Sequence, residues 1–398
     1  MSAVSPTAVL PAVAGTRLAS NNEWSLLLAG CADDIQPQQT ERLRALCGSV
    51  RWKIVFDLAD RHGVQPLLHQ ALSRIEDAVP AAEMRVLKQL YQTNLHKALF
   101  LSRELIRILD HLGESGIEVI PYKGVALAES VYGDMALRKA GDIDLLIHAY
   151  DLARVREAVA SLGYKPQTAF SPAQERAYMK TGYECAFDGA AGRNLLEVQW
   201  AIQPRFYAVD FDLEGVFQRA RAASVAGHLM KTPSPEDLFI ILALHAAKHV
   251  WGRLIWLCDL ARIMRMDSLN WAWIGAQAKE LGIARILRVT LLLANNLLNV
   301  AVPGAAEANL PADSESAALA AQLEGYITHD RAYDVESFSY FRLMLRLREN
   351  PADRIRFLRR LIFTPGPGEW KAVRLPPALF PLYWAVRLFR LAGRIVRA

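Results

Sequence analysis

The stretch that decides the fold is residues 122–148, YKGVALAESVYGDMALRKAGDIDLLIH. We interpret its end as a strand that begins with Asp142-Ile143-Asp144. On a strand, residues two apart point to the same face and lie roughly 6.5 Å apart. Asp142 and Asp144 would then present their carboxylates on one side and could share a divalent cation. Two aspartates at a strand end are also common at a solvated sheet edge, so this interpretation needs support from the rest of the chain.

Composition limits the class of protein. The 398 residues are 52% hydrophobic and 22% charged, which suffices for two or three domains with buried cores. No apolar run reaches the about 18 residues that a membrane span requires. Four scattered cysteines form neither a zinc-binding nor a disulfide pattern. We therefore expect a soluble protein of the reducing cytoplasm, with residues 1–22 as a loose tail rather than a secretory signal.

Hydrophobic periodicity predicts a helical first part. Apolar residues at three- and four-residue steps indicate helices over residues 38–46, 52–61, 67–75 and 81–112. The period then changes. The following residues predict a short strand at 117–120 that Pro121 stops, a helix from Gly124 to Val131, and a helix at 151–162.

The remaining chain completes an α+β pattern. From Pro233 onwards the sequence predicts helices, with a linker over residues 303–315. The expected organisation is a small α/β core with a mixed sheet at residues 114–232. Helical regions at residues 23–113 and 233–398 would flank this core.

A third carboxylate is predicted from a hairpin whose return strand covers residues 195–202. On this strand Leu196 and Val198 share one face, and Glu197 and Gln199 share the other. If the two apolar residues enter the core, Glu197 points to the side on which the aspartates lie.

These features together resemble a known family. In chain order they are Lys123-Gly124, Tyr132 with Asp134, Arg138, Asp142-Ile143-Asp144, and Glu197 in a strand that ends in Trp200. The pattern is similar to that of the uncharacterised bacterial nucleotidyltransferase family within the polymerase-beta-like superfamily. Residues 52–68 (WKIVFDLADRHGVQPLL) and 247–261 (AKHVWGRLIWLCDLA) resemble its N-terminal and C-terminal helical signatures, so the resemblance covers most of the chain.

The chain departs from the family pattern at two positions. A Gly-Ser pair usually opens the nucleotide-binding helix, where this sequence has Lys123-Gly124. A histidine commonly follows the third carboxylate by two residues, where this sequence has Gln199. The three carboxylates themselves are present.

The resemblance implies a polymerase-beta-like α/β core that moves a nucleoside monophosphate from an NTP, which we expect to be ATP, to an acceptor. Nucleotidyl transfer is an in-line displacement at phosphorus in which the protein mainly positions groups and neutralises charge. Asp142, Asp144 and Glu197 are the expected ligands of Mg²⁺ or Mn²⁺. Glu197 is alternatively a general base.

Basic residues are the expected contacts of the nucleotide. Lys123, Gly124 and Arg138 would hold the triphosphate, the glycine through backbone N–H groups at a helix start. Lys248 and His249 lie on a basic, partly aromatic helix face that suits phosphate and base. The alternative for that helix face is a surface lysine beside core histidines.

The acceptor is expected to be a small molecule or a peptide natural product, and no specific nucleic acid is predicted. The rival interpretation is a non-catalytic scaffold for biosynthetic partner enzymes. A further buried charge is expected at Asp259, which falls on an apolar helix face and would pair with Arg253 or Arg262.

The C-terminal end is basic. Residues 341–398 contain 13 Arg and Lys against 3 Asp and Glu, so this end carries +10 and the rest sums to −5. Arginines recur along one face of a predicted helix at positions Arg387, Arg390, Arg394 and Arg397. Such a helix can lie on an anionic membrane, grip nucleic acid or dock on an acidic partner. Three prolines just before it favour instead a folded-back helix with its apolar face packed on the helical region and its arginines solvated.

Overall fold

The N-terminal part of the chain is helical, as predicted. The computed structural model describes residues 21–32, 37–139, 141–329, 334 and 337–396. Its first helices are α1 (Asn21–Gly30), α2 (Pro37–Cys47), α3 (Trp52–His62), α4 (Gln65–Leu72) and α5 (Ala81–Glu114). α3 ends at Gly63, whose φ of 71° is a left-handed C-cap that glycine adopts without a Cβ clash. α5 joins two cores, because Met84 and Leu87 pack with the helical region whereas Leu101 and Leu105 pack under the sheet.

The middle of the chain forms a mixed sheet. Its elements are β1 (Val119–Pro121), α6 (Gly124–Leu127), a π-helical turn (Ala128–Tyr132), β2 (Ile143–Ile147), α7 (Leu152–Ser161), β3 (Lys165–Pro166), α8 (Pro172–Thr181), β4 (Glu184–Asp188), β5 (Leu195–Gln199) and α9 (Leu213–Arg219). The strand order is β1-β2-β5-β4-β3. β2 and β5 are parallel, and the other neighbours are antiparallel. The α+β class with a mixed sheet is confirmed.

The sheet separates two apolar cores. On one face, alternate residues of the two central strands pack with α5 and α7, namely Ile143, Leu145, Ile147, Leu196 and Val198. On the opposite face Leu146 packs with the helical regions. Because side chains alternate along a strand, Asp144 lies on the same side as Leu146. The carboxylate therefore sits between the sheet and the helices that follow it in the chain.

A second hairpin, β6 (Arg221–Val225) and β7 (His228–Thr232), follows the main sheet and was missed in the sequence. Its two-residue turn, Ala226-Gly227, has positive φ at both positions, which suits a tight hairpin. Helix α8 was not predicted from the sequence either. The first strand of the sheet lies at Val119–Pro121 rather than at 117–120, so Pro121 ends the strand from within it.

Helices form the rest of the chain. They are α10 (Pro235–Lys248), α11 (Leu254–Met264), α12 (Trp271–Glu280), α13 (Ala284–Leu298), α14 (Gly304–Asn309), α15 (Ser314–Thr328), α16 (Phe338–Arg346), α17 (Pro351–Phe363), α18 (Pro367–Ala372) and α19 (Tyr383–Val396). α10 begins where Ser234 accepts a hydrogen bond from the Asp237 N–H and Pro235 occupies the first turn. The predicted linker at 303–315 is partly wrong, since α14 lies inside it. None of the described helices is long and apolar enough to cross a membrane.

The C-terminal helix α19 agrees only in part with the prediction. Tyr383 is buried and Leu391 packs against the main core, as expected of the apolar face, but two arginines are paired rather than solvated. Arg387 and Arg390 donate to the buried Glu369 carboxylate of α18, with N–O distances of 3.2 and 2.7 Å. Phe389 is 80% exposed. The prediction is therefore wrong for the two arginines, which pair with Glu369, and for Phe389, which does not pack. Arg397 and the side chain of Arg394 lie outside the described residues.

Candidate active site

The two central strands bring an aspartate and a glutamate side by side. The parallel register of β2 and β5 pairs Asp144 with Glu197. Neighbouring strands lie about 4.8 Å apart, and paired residues point to the same face. Asp144 is only 2% exposed, and Glu197 is half-buried. Glu197 therefore lies on the Asp144 side of the sheet, as the alternation of β5 predicts.

Asp142 lies one residue before β2 and not within the strand as predicted. Its backbone carbonyl stands against Gly124, where an added Cβ would come within 2.8 Å of the oxygen. Gly124 also has a φ of 58°, which disfavours any residue with a side chain. Only glycine satisfies both constraints, so the Lys-Gly pair brings the start of α6 into contact with the segment that carries Asp142.

Lys123 forms an ion pair with Asp144. Its Nζ donates to Asp144 Oδ1 at 2.9 Å and lies 4.7 Å from the centre of the Tyr122 ring. Burial acts to lower the pKa of Lys123, but the charge of Asp144, followed by Tyr122 and Glu197, raises it well above its usual value. Lys123 is therefore a charged ammonium that partly neutralises the carboxylates.

Ionisation of the other two carboxylates of the site is unfavourable despite Lys123. Burial raises the pKa of Asp142 to about 6, and the charge of Asp144 acts in the same direction. Burial, followed by the charges of Asp144 and Glu184, raises the pKa of Glu197 to about 9. Lys123 opposes both shifts. Burial and like charge therefore favour the neutral forms of Asp142 and Glu197, and a bound cation would favour their ionised forms.

The carboxylate face opens into a pocket between the sheet and α10. The sheet side contributes Lys123, Glu184, Glu197 and Gln199, and the helix side contributes His245, Lys248 and His249. Four of the predicted site residues, Lys123, Glu197, Lys248 and His249, therefore line one cavity. Asp144 does not line the pocket itself but forms an ion pair with Lys123, which does.

The α10 wall of the pocket carries one lysine and two histidines. Lys248 Nζ donates to the Tyr183 hydroxyl at 3.1 Å and lies 4.7 Å from its ring. Burial lowers the pKa of Lys248. Burial likewise lowers the pKa of His245 and of His249 well below the usual value, so both rings are neutral. Lys248 lies in the pocket, which contradicts the surface-lysine alternative.

The chain leaves this wall through a strained turn. Val250 and Trp251, directly after His249, have φ values of 55° and 49°. Side chains with a Cβ disfavour this region, and a β-branched valine does so most. The buried Trp251 indole compensates by donating from Nε1 to the Thr290 hydroxyl at 3.0 Å. Tertiary packing thus maintains a turn that places His249 at the pocket.

A polar network on the floor of the pocket was not assigned from the sequence. The Tyr122 hydroxyl donates to Gln199 Oε1 at 2.6 Å, and Gln199 Nε2 donates to Glu184 at 3.3 Å and to Glu197 at 3.4 Å. The antiparallel register pairs Glu184 with Gln199. In the sequence, Glu184 lies between Tyr183 and Cys185 and so alternates with less polar residues along β4, which was the available signal. Gln199, at the position of the family histidine, therefore orients two carboxylates.

Arg138 is held away from this pocket by Asp259. Its Nε donates to Asp259 Oδ1 at 2.9 Å and its Nη2 donates to Oδ2 at 3.0 Å. The Tyr132 hydroxyl donates to the same Oδ1 at 2.6 Å. The expected pairing of Asp259 with Arg253 or Arg262 is wrong. Because α11 packs against the turn that contains Tyr132, Arg138 lies next to Asp259 and forms the ion pair instead. The triphosphate role predicted for Arg138 has no support from this geometry.

The carboxylate group fits a hard divalent cation. Asp144 Oδ2 is buried and has no hydrogen-bond partner among the described residues. Oxygen donors are the ligands that Mg²⁺ prefers, and a bound cation would relieve the repulsion between these carboxylates. Within the described ranges no group of three carboxylate, histidine or cysteine side chains is already arranged around one point. One oxygen of Asp144, Oδ1, already accepts a hydrogen bond from the Lys123 ammonium.

Comparison with known protein families identifies the chain. A family model described as "Uncharacterised nucleotidyltransferase" matches residues 48–299, more than half of the sequence. The match contains both helical signatures and all the carboxylates of the site. Neither the curated proteins nor the solved structures provide a significant match. The chain belongs to this nucleotidyltransferase family, which confirms the resemblance seen in the sequence.

Proposed function

We propose that this nucleotidyltransferase transfers a nucleoside monophosphate from an NTP, with ATP as the expected donor, to a hydroxyl or phosphate of a small molecule or peptide. The observation that carries the proposal is the pairing of Asp144 with Glu197 on parallel strands, beside a pocket that Glu197 and Lys123 line. One buried oxygen of Asp144 has no hydrogen-bond partner among the described residues. Family membership supplies the reaction type.

Asp142, Asp144 and Glu197 are the residues that would hold Mg²⁺ or Mn²⁺. Divalent ions in this position supply charge stabilisation to the attacking and leaving oxygens of an in-line displacement. Glu197 lies between Asp144 and the network of Gln199 and Glu184, where it can also accept a proton from an acceptor hydroxyl. The hydrogen bond from Gln199 limits the rotation of the Glu197 carboxylate, so the orientation is set before substrate binds.

The basic residues of the pocket are proposed to contact the nucleotide. Lys123 neutralises Asp144 in the structure described here and is close enough to the carboxylates to contact a phosphate beside them. Lys248 and His249 face it from α10 and add positive charge and an aromatic ring at the opposite wall. Gly124 N–H groups remain a proposed phosphate contact, because the tight packing against Asp142 orders the start of α6.

Titration calorimetry with nucleotides tests the proposal. Wild-type protein should bind Mg-ATP more tightly than adenosine, and binding should weaken when Mg²⁺ is removed. Asp144→Asn removes one negative charge and should reduce Mg-dependent affinity by about tenfold or more. CTP, GTP and UTP in place of ATP identify the donor.

Glu184→Gln is the matched control. Glu184 is a carboxylate in the same pocket, but Tyr183 and Gln199 already donate to it. Its substitution should change Mg-dependent affinity by less than about threefold, an effect well under 1 kcal/mol. Equal binding of NTP and nucleoside by the wild-type protein would contradict the proposal and support the non-catalytic scaffold.

A further inference from the structure

Exposed apolar side chains are concentrated at the C-terminal end of the chain. Of the large hydrophobic residues that are exposed in the described part, most follow position 350. They include Ile355, Leu358, Phe363, Trp384, Leu388 and Phe389. The Phe363 and Trp384 rings lie 6.0 Å apart, so exposed apolar side chains of α17 and α19 adjoin at this point. We name Ile355, Leu358, Phe363, Trp384, Leu388 and Phe389 the apolar platform. Contiguous exposed apolar surface of this kind is uncommon on a monomer and marks an interaction site.

The outward orientation of the platform is maintained by contacts on the inner side of α19. The Glu369 carboxylate accepts from Arg387 and Arg390, and Arg387 also donates to the Leu361 carbonyl of α17. Arg387 lies 5.4 Å from the Phe206 ring. Successive residues of an α-helix are rotated by about 100° about its axis. With Arg387 and Arg390 on the inner side, Phe389 therefore points outward. Rotation of α19 to hide Phe389 would break these ion pairs.

The charge around the platform is positive. Residues 351–396 contain nine Arg and Lys and two Asp and Glu. Both acidic residues are engaged within the chain, Asp353 with Arg356 and Glu369 with α19. Four of the cations, Arg354, Arg359, Lys371 and Arg374, are exposed. The Tyr383 hydroxyl binds the backbone of Val373 and Leu375, which places the segment that carries Lys371 and Arg374 beside the start of α19.

We infer that the apolar platform is a peripheral docking surface for an anionic lipid bilayer. Tryptophan, phenylalanine and leucine side chains partition into the boundary between lipid headgroups and acyl chains. Long cationic side chains beside them reach the anionic headgroups while their methylene groups stay on the apolar surface. The absence of an unpaired carboxylate among the described residues 351–396 favours this partner, because a single exposed carboxylate beside the platform would be repelled by the lipid.

Liposome flotation tests the inference with the full chain at about 0.15 M salt. Wild-type protein should float with vesicles of phosphatidylcholine and phosphatidylserine, and much less with phosphatidylcholine alone. Phe389→Gln should weaken binding by about tenfold, since it removes one of the largest exposed apolar side chains without changing charge. Lys371→Gln combined with Arg374→Gln should weaken binding and flatten its salt dependence.

Leu229→Gln provides the matched control. Leu229 of β7 is 80% exposed, the same fraction as Phe389, but it lies outside the platform. The control should bind vesicles as the wild type does. Absence of binding to either lipid composition, or equal binding by the Phe389 and wild-type proteins, would overturn the inference. Self-association that Phe389→Gln abolishes, measured by light scattering in the absence of vesicle binding, would assign the platform to a second copy of the chain and also overturn it.

Discussion

The buried ion pair between Arg138 and Asp259 predicts a large effect of one conservative substitution. Asp259 is fully buried, and the side chain of Arg138 is 9% exposed. Asp259→Asn preserves the size of the side chain and an oxygen that can accept from Tyr132. It removes the negative charge that the guanidinium contacts at 2.9 and 3.0 Å. The variant therefore leaves a buried arginine without its counter-charge.

The expected loss in the free energy of unfolding is about 3–5 kcal/mol, the usual result of removing one partner from a buried pair. The loop around Arg138 amplifies the consequence for the site. Asn94 donates to the carbonyls of Ala136 and Arg138 at 2.8 and 3.3 Å, so α5 and α11 hold this loop from two directions. Asp142 follows four residues later. Release of Arg138 should therefore also disorder the segment that carries Asp142.

Urea unfolding followed by circular dichroism measures the effect. The double variant Arg138→Met with Asp259→Asn removes both charges and should recover most of the stability. Asp210→Asn is the control, because Asp210 makes a similar two-pronged contact with Arg360 but is 62% exposed. That change should cost less than about 1 kcal/mol. The reasoning is refuted if Asp259→Asn costs no more than the control, or if the double variant is no more stable than the single one.

Three further substitutions test other parts of the structure. Glu197→Gln should lower the transfer rate about 10²- to 10⁴-fold with little change in nucleotide affinity if it is a general base; weaker Mg-ATP binding at an unchanged rate would make it a ligand only. Lys123→Met should tighten Mn²⁺ binding without nucleotide several-fold, measured by calorimetry, because the ammonium occupies Asp144 Oδ1; weaker binding would exclude this competition. Burial lowers the pKa of His62 to about 3, so its contribution to stability is complete above about pH 6.5 and decreases as the pH falls towards 3. Between pH 7.5 and 5 the wild-type protein should lose about 2 kcal/mol more than His62→Leu, and parallel urea-unfolding curves would contradict this.

Local pattern was sufficient for several features of the site. The alternation of Leu196, Glu197 and Val198 placed Glu197 on the polar side of β5, since the side-chain period of a strand is two residues. The apolar residues at three- and four-residue steps predicted a helix over residues 81–112, and α5, with 34 residues, ends two residues later. The carboxylates and helical signatures also carried the family assignment. These features depend on residues close together in sequence.

Other features depend on which elements pack together, and no local pattern encodes that. Arg138 and Asp259 are 121 residues apart, and their pairing follows from the contact of α11 with the turn that contains Tyr132. Asp144 meets Lys123 because the Gly124 backbone touches the Asp142 carbonyl.

The orientation of α19 was decided in the same way. Its sequence pattern has two faces, one rich in arginine and one apolar, and either could face the protein. Helical periodicity defines the two faces but does not determine which neighbour each one meets. The buried Glu369 carboxylate, 18 residues before Arg387, selects the arginine face because a buried charge requires a counter-charge.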